Sequence, residues 1–135
     1  MKPVLFLVIL FISSCSPKLA PDHNWAEKKW VLIEMNGMPV QIGGTDKDAH
    51  LVFSPKERSY SGSGGCNRIM GAYALDKDNK IKFNNPAVTR MACQDIKFEE
   101  KFIEVLISVE NYGASENEMI FSKGKTVVLK FQARG

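Results

Sequence analysis

Residues 61–71 read SGSGGCNRIMG, and a second cysteine ends the stretch VTRMAC at residues 88–93. A cysteine set among glycines suits four local structures: a phosphate cradle, a nucleophile loop, a metal knuckle or a covalently stapled turn. Each demands different neighbours. A phosphate-binding loop needs spaced glycines followed by Lys and Ser or Thr where a strand enters a helix. Here the glycines lead through Cys66-Asn67-Arg68 into another strand-like segment, so no helix N-terminus receives an anion. A cysteine nucleophile needs a lowered pKa and a base. With His23 and His50 the only histidines, and His23 outside the patterned region, Cys66 and His50 are the one pair to test. Two histidines and two distant cysteines make neither C-x-x-C nor H-x-x-x-H, so no metal and no cofactor are expected. Asp76-Lys77-Asp78-Asn79 opens like a calcium loop. It has Ile81 and Ala87 where such a loop requires glycine and glutamate.

The stapled turn survives. Gly62, Gly64 and Gly65 permit a sharp reversal, and Asn67 tolerates a left-handed conformation. Arg68 and Arg90 each sit near one of the cysteines. They suggest either an anion site or, preferred here, caps on exposed carbonyls. The carboxylates fall in turns or on a polar helix face, which offers no acid–base pair.

The N-terminus, MKPVLFLVILFISSCS, sets the compartment. Lys2 precedes an apolar run from Val4 to Ile12, too short for a permanent span but suited to a signal peptide over residues 1–14. The run ends in Ile12-Ser13-Ser14-Cys15, similar to a lipobox, in which the cysteine is acylated and the peptide before it removed. Cleavage leaves 121 of the 135 residues, enough for one domain with one core. It also removes Lys2 and lowers the formal charge from +3 to +2. With no basic run, a nucleic-acid partner is not expected. With Cys15 assigned to lipid, Cys66 and Cys93 form an even pair in an oxidising envelope, where a disulfide is expected. Ser16 does not resemble the aspartate that retains lipoproteins in an inner membrane. The expected location is therefore the periplasmic side of an outer membrane.

Residues 15–24 read as the lipidated cysteine and a polar, proline-bearing tether, and residues 25–135 as the domain. Short period-two segments dominate: WVLIEM with an Asn36-Gly37 turn, HLVFS, SYSGSG, RIMGAYAL, KIKFN, EMIFS and TVVLKFQ. In WVLIEM both faces look covered. One segment breaks the rhythm. Between Asp95, a plausible N-cap, and Gly113, a plausible stop, Phe98, Phe102, Leu106 and Val109 recur at helical spacing. Glu99, Glu100 and Glu104 are assigned to the outer face. The fold class is α+β: an antiparallel β meander bent into an open barrel, with one amphipathic helix packed against it.

These residues carry a resemblance. SGSGGCNRIMGAY, VTRMAC, the helix and the closing apolar hairpin resemble the META domain (HslJ-like) family, over about Trp30 to Phe131. In this chain the motif positions are Gly64, Gly65, Cys66, Asn67 and Arg68, then Thr89, Arg90 and Cys93. The resemblance implies a cracked, half-open β-barrel with one helix, an association with envelope stress, and no established catalysis. Three functions are expected in order. The first is a monomeric, non-enzymatic envelope lipoprotein that binds a protein partner. The second is a carrier whose cavity, lined by Phe98, Phe102, Leu106 and Val109, holds an acyl chain. The third is an inhibitor that inserts the Gly43–Lys47 loop or the Asp76–Lys80 turn into an envelope hydrolase.

Overall fold

The computed structural model describes residues 11–16 and 20–135. The signal-peptide reading of residues 1–10 and the tether residues 17–19 lie outside the described residues. The strands are β1 (Lys29–Met35), β2 (Met38–Pro39), β3 (His50–Ser54), β4 (Ser59–Ser63), β5 (Arg68–Asp76), β6 (Lys80–Phe83) and β7 (Ala87–Val88). Helix α1 (Lys97–Ser108) follows, then β8 (Asn111–Ala114), β9 (Glu118–Lys123) and β10 (Thr126–Arg134).

The strands close a ring in the order β1-β3-β4-β5-β6-β8-β9-β10 and back to β1, all pairs antiparallel. Strand β10 pairs with both ends of the chain's meander, β1 and β9, and so joins the two edges. The expected antiparallel barrel with one helix is present. What was expected as a crack is a narrow seam: β6 and β8 share only the Lys80–Asn111 pair, flanked by two backbone hydrogen bonds of 3.0 and 3.1 Å. The connection carrying α1 runs across this weak side, and the helix packs on β6 and β10.

Alternation decides which side chains fill the barrel. In β3, Leu51 and Phe53 point inward while His50, Val52 and Ser54 do not. In β1, Trp30 and Leu32 belong to the core cluster, and Val31 is buried on the outside with Ile42 and Gly43 alongside it. Both faces of β1 are covered, as its apolar run implies. Edge-to-face aromatic contacts run through the interior, from Trp25 and Phe53 at 5.2 Å to Phe83 and Phe121 at 5.1 Å and Phe121 and Phe131 at 5.5 Å.

Helix α1 is shorter than Asp95 to Gly113. Ile96 occupies the N-cap position, and Asp95 helps from one residue further out by accepting the Lys97 N–H at 3.1 Å. The helix stops because Val109 turns extended and enters the core, after which the Glu110 N–H pairs with Ser122. Gly113 lies in β8 instead.

The domain also begins earlier than Trp25. Asp22, placed in the tether by sequence, is fully buried. Its Oδ2 accepts from the Tyr73 hydroxyl at 2.6 Å and from Arg58 Nε at 3.0 Å. A short 3-10 helix, His23–Trp25, then turns Trp25 onto Phe53, Tyr73 and Tyr112. A buried carboxylate is tolerable only with such partners. Burial, reinforced by the Asp22 bond and charge, pushes the Tyr73 hydroxyl pKa well up, so Tyr73 stays a donor. Asp22→Ala strands that buried hydroxyl and removes the ion pair with Arg58. The expected cost is about 2 kcal/mol, read as a fall of about 8 °C in thermal unfolding. An unchanged Tm would return residue 22 to the tether.

Candidate functional site

Strands β4 and β5 are joined by Gly64, Gly65, Cys66 and Asn67, and this corner is the polar centre of the fold. Cys66 and Cys93 form a disulfide with Cα atoms 6.2 Å apart, tying the corner to the segment before α1. The Gly64 N–H closes the turn onto the Asn67 carbonyl at 2.9 Å. Gly65 has φ +116°, a conformation that other residues adopt only with strain.

Asn67 does not take the left-handed backbone expected of it. Its side chain is what the corner uses. Nδ2 donates to Glu99 Oε1 at 2.7 Å, while Oδ1 accepts the Met91 N–H at 2.7 Å. Thr89 Oγ1 approaches Asn67 Oδ1 at 3.4 Å and accepts the Arg68 N–H at 2.9 Å. The GCNR and TRMAC segments are therefore knitted by the side chains of Asn67 and Thr89 as well as by the disulfide.

Glu99 corrects the sequence reading most sharply. Assigned to the solvated face of α1, it is buried at 2 % exposure. Its Oε2 accepts the backbone N–H groups of Cys66 at 3.1 Å and Asn67 at 2.7 Å, completing three bonds with the Asn67 amide. Gly64 makes room for it, since a Cβ there would lie 2.6 Å from Glu99 Cγ. A signal existed: Glu99 stands three and seven residues before Phe102 and Leu106, on the edge of the buried stripe. Its charge masked that position.

Other candidates are placed as follows. Arg68 and Arg90 are exposed and, among the described residues, neither guanidinium makes a hydrogen bond or ion pair, so neither caps a carbonyl. Phe102 and Leu106 are fully buried, Val109 nearly so, and Phe98 packs against the same core. Phe102, Leu106 and Val109 are thus part of the packed core, and Phe98 lies against its edge. The Gly43–Lys47 loop is fastened by Asp48, whose carboxylate accepts the N–H groups of Gly43, Gly44 and Thr45 at 2.7–3.2 Å. The Asp76–Lys80 turn is a tight hairpin with Asp78 and Asn79 at positive φ. Among the described residues no cluster of His, Cys, Asp and Glu is arranged to hold a metal, and no helix is long and apolar enough to cross a membrane.

Beside the corner, on the barrel's outer face, lies a groove of about 420 Å³. Cys66 and His50 both line it, but the sulfur is committed to Cys93 and cannot act as a nucleophile. His50 Nδ1 lies 2.7 Å from the Asp48 carbonyl. A carbonyl only accepts, so Nδ1 carries the proton.

The META domain family model matches residues 23–135. No curated protein sequence matches the chain. Among solved structures, the NMR structure of a protein from Burkholderia xenovorans superposes with a TM-score of 0.63 at 26 % identity, covering 90 % of this chain and 96 % of that one. A second NMR structure gives 0.63 at 22 % identity, covering 84 % and 95 %. The crystal structure of a DUF4847 family protein from Bacteroides vulgatus gives 0.58 at 18 % identity, covering 82 % and 95 %. The last two likenesses concern the fold.

Proposed function

The chain belongs to the META domain family, and from that premise we propose that it is a lipid-anchored envelope protein whose barrel acts as a non-catalytic binding module under envelope stress. One observation carries the reading. Cys15, exposed and unpaired, follows Ile12-Ser13-Ser14 in a chain whose other two cysteines are joined. Disulfides persist in oxidising compartments, and an aliphatic-small-small-Cys stretch after an apolar run is the substrate of lipoprotein acylation.

The tether sharpens this proposal. Six residues separate Cys15 from the buried Asp22, a reach of roughly 20 Å when fully extended. Because Asp22 is pinned to Tyr73 and Arg58, the barrel is held by its Trp25 end. The disulfide corner and its groove are then presented away from the lipid, toward the periplasm in an outer-membrane setting. The core packing of Phe102, Leu106 and Val109 favours a protein partner over an enclosed acyl chain.

Metabolic labelling with an alkyne fatty acid tests the anchor. Wild type is expected to incorporate label and partition with membranes, and Cys15→Ala to do neither. Equal labelling of both would sink the reading.

A further inference from the structure

We propose that the groove beside the disulfide is a binding site for a phosphate group, built from Arg68, Lys47 and His50. The strand register creates it. Val31 of β1 faces His50 of β3, His50 faces Ser63 of β4, and Ser63 faces Arg68 of β5, so one row crosses four strands. One wall is the Gly43–Asp48 loop, held by the Asp48 carboxylate and by the Ser63 hydroxyl, which donates to the Lys47 carbonyl at 3.2 Å. The other wall is the disulfide with Met91, whose N–H is fixed on Asn67. Between these walls the groove is already formed before any ligand arrives, which lowers the ordering cost of binding.

Its lining is net positive, with Lys47 and Arg68 set against the single carboxylate of Asp46. Lys29 Nζ and Asp46 pair at 3.0 Å and cancel, while the Asp48 carboxylate is consumed by three loop N–H groups. Lys47 and Arg68 remain as cations without an acidic partner among the described residues. Arg68 presents a planar fork suited to an oxyanion, and Lys47 adds a point charge. His50, half-buried in the same groove, keeps its Nδ1 proton on the Asp48 carbonyl and leaves Nε2 to take up a second proton when an anion arrives.

The groups facing His50 set the sign. Burial lowers its pKa, the Asp48 carbonyl opposes this, and Lys29 and Arg68 lower it while Asp46 raises it. A bound phosphate adds negative charge to that set and raises the His50 pKa, so a phosphodiester, whose charge is constant through the histidine range, binds more tightly as pH falls through it. The site stands independently of the lipid anchor, because no part of it depends on Cys15.

The test is NMR of the isotope-labelled intact chain in phosphatidylcholine nanodiscs, titrated with inorganic phosphate and matched against sodium chloride at equal ionic strength. The expected result is saturable movement of the His50 ring and the Ser61 and Arg68 amides, with the His50 titration midpoint shifted upward. Arg68→Gln and Lys47→Gln should each weaken the response, Arg68→Gln by about tenfold or more, with the remaining amide spectrum unchanged. Short-chain phosphatidylglycerol below its micelle concentration, added without free phosphate so that it can reach a groove turned from the membrane, forms the second arm. The same movement there assigns the phosphate to a lipid headgroup, and its restriction to the first arm assigns a soluble phosphate. Movement in neither arm, or an undiminished response in Arg68→Gln, overturns the proposal.

Discussion

Glu99→Ala is expected to lower the unfolding free energy by about 3 kcal/mol, because it removes the acceptor of three N–H groups at once. Against a domain's usual total of about 5–15 kcal/mol, that is a large share. Glu99→Gln separates polarity from packing. It preserves volume but turns an amide NH2 toward donors, either the Asn67 amide or the two backbone N–H groups, so it should lose about 2 kcal/mol or more. Urea denaturation gives the free energies, and hydrogen exchange should show the Cys66 and Asn67 amides losing protection. A glutamine variant within about 0.5 kcal/mol of wild type would mean that the buried carboxylate is incidental.

Removing the disulfide is the second large effect. Cys66 and Cys93 are 27 residues apart, and closing a loop of that length restricts the unfolded chain by about 3.5 kcal/mol in the chain-entropy model. Cys66→Ser with Cys93→Ser, or reduction of the wild type, should show that loss in urea denaturation. A change below about 1 kcal/mol would show that the noncovalent knitting suffices. Both devices hold the same corner, so their losses should not add. With the disulfide absent, Glu99→Ala should cost less than it does alone, since the donors it strands can reach water in a loosened turn.

The pattern of the chain carried much of the architecture. Alternating apolar residues in HLVFS and KIKFN form the strands β3 and β6. Asn36-Gly37 makes its turn with both residues at positive φ, and the helical repeat from Phe98 to Leu106 is helical. The pair Cys66 and Cys93 is joined. Boundaries were less legible. Gly113 reads as a helix stop by itself, yet the helix ends earlier because Val109 is drawn into the core. Asp22 reads as tether because nothing local reveals Tyr73, 51 residues away, as its partner.

The site was legible only in part. Glycines 64 and 65, the two cysteines, Asn67 and Thr89 drew attention by type and spacing, but the role of Asn67 was misread as conformational. Glu99 was masked by its charge despite its place beside the apolar stripe, and the row joining His50 to Arg68 carried no local mark. By itself, the order of residues determined what depends on near neighbours, namely strand and helix periods and turns, and its cysteine count pointed to the covalent pair. Tertiary structure alone decided which charges lie buried and which meet. A carboxylate's fate depends on the donors brought to it from 32 or 33 residues away, and closure of the barrel is what brings them.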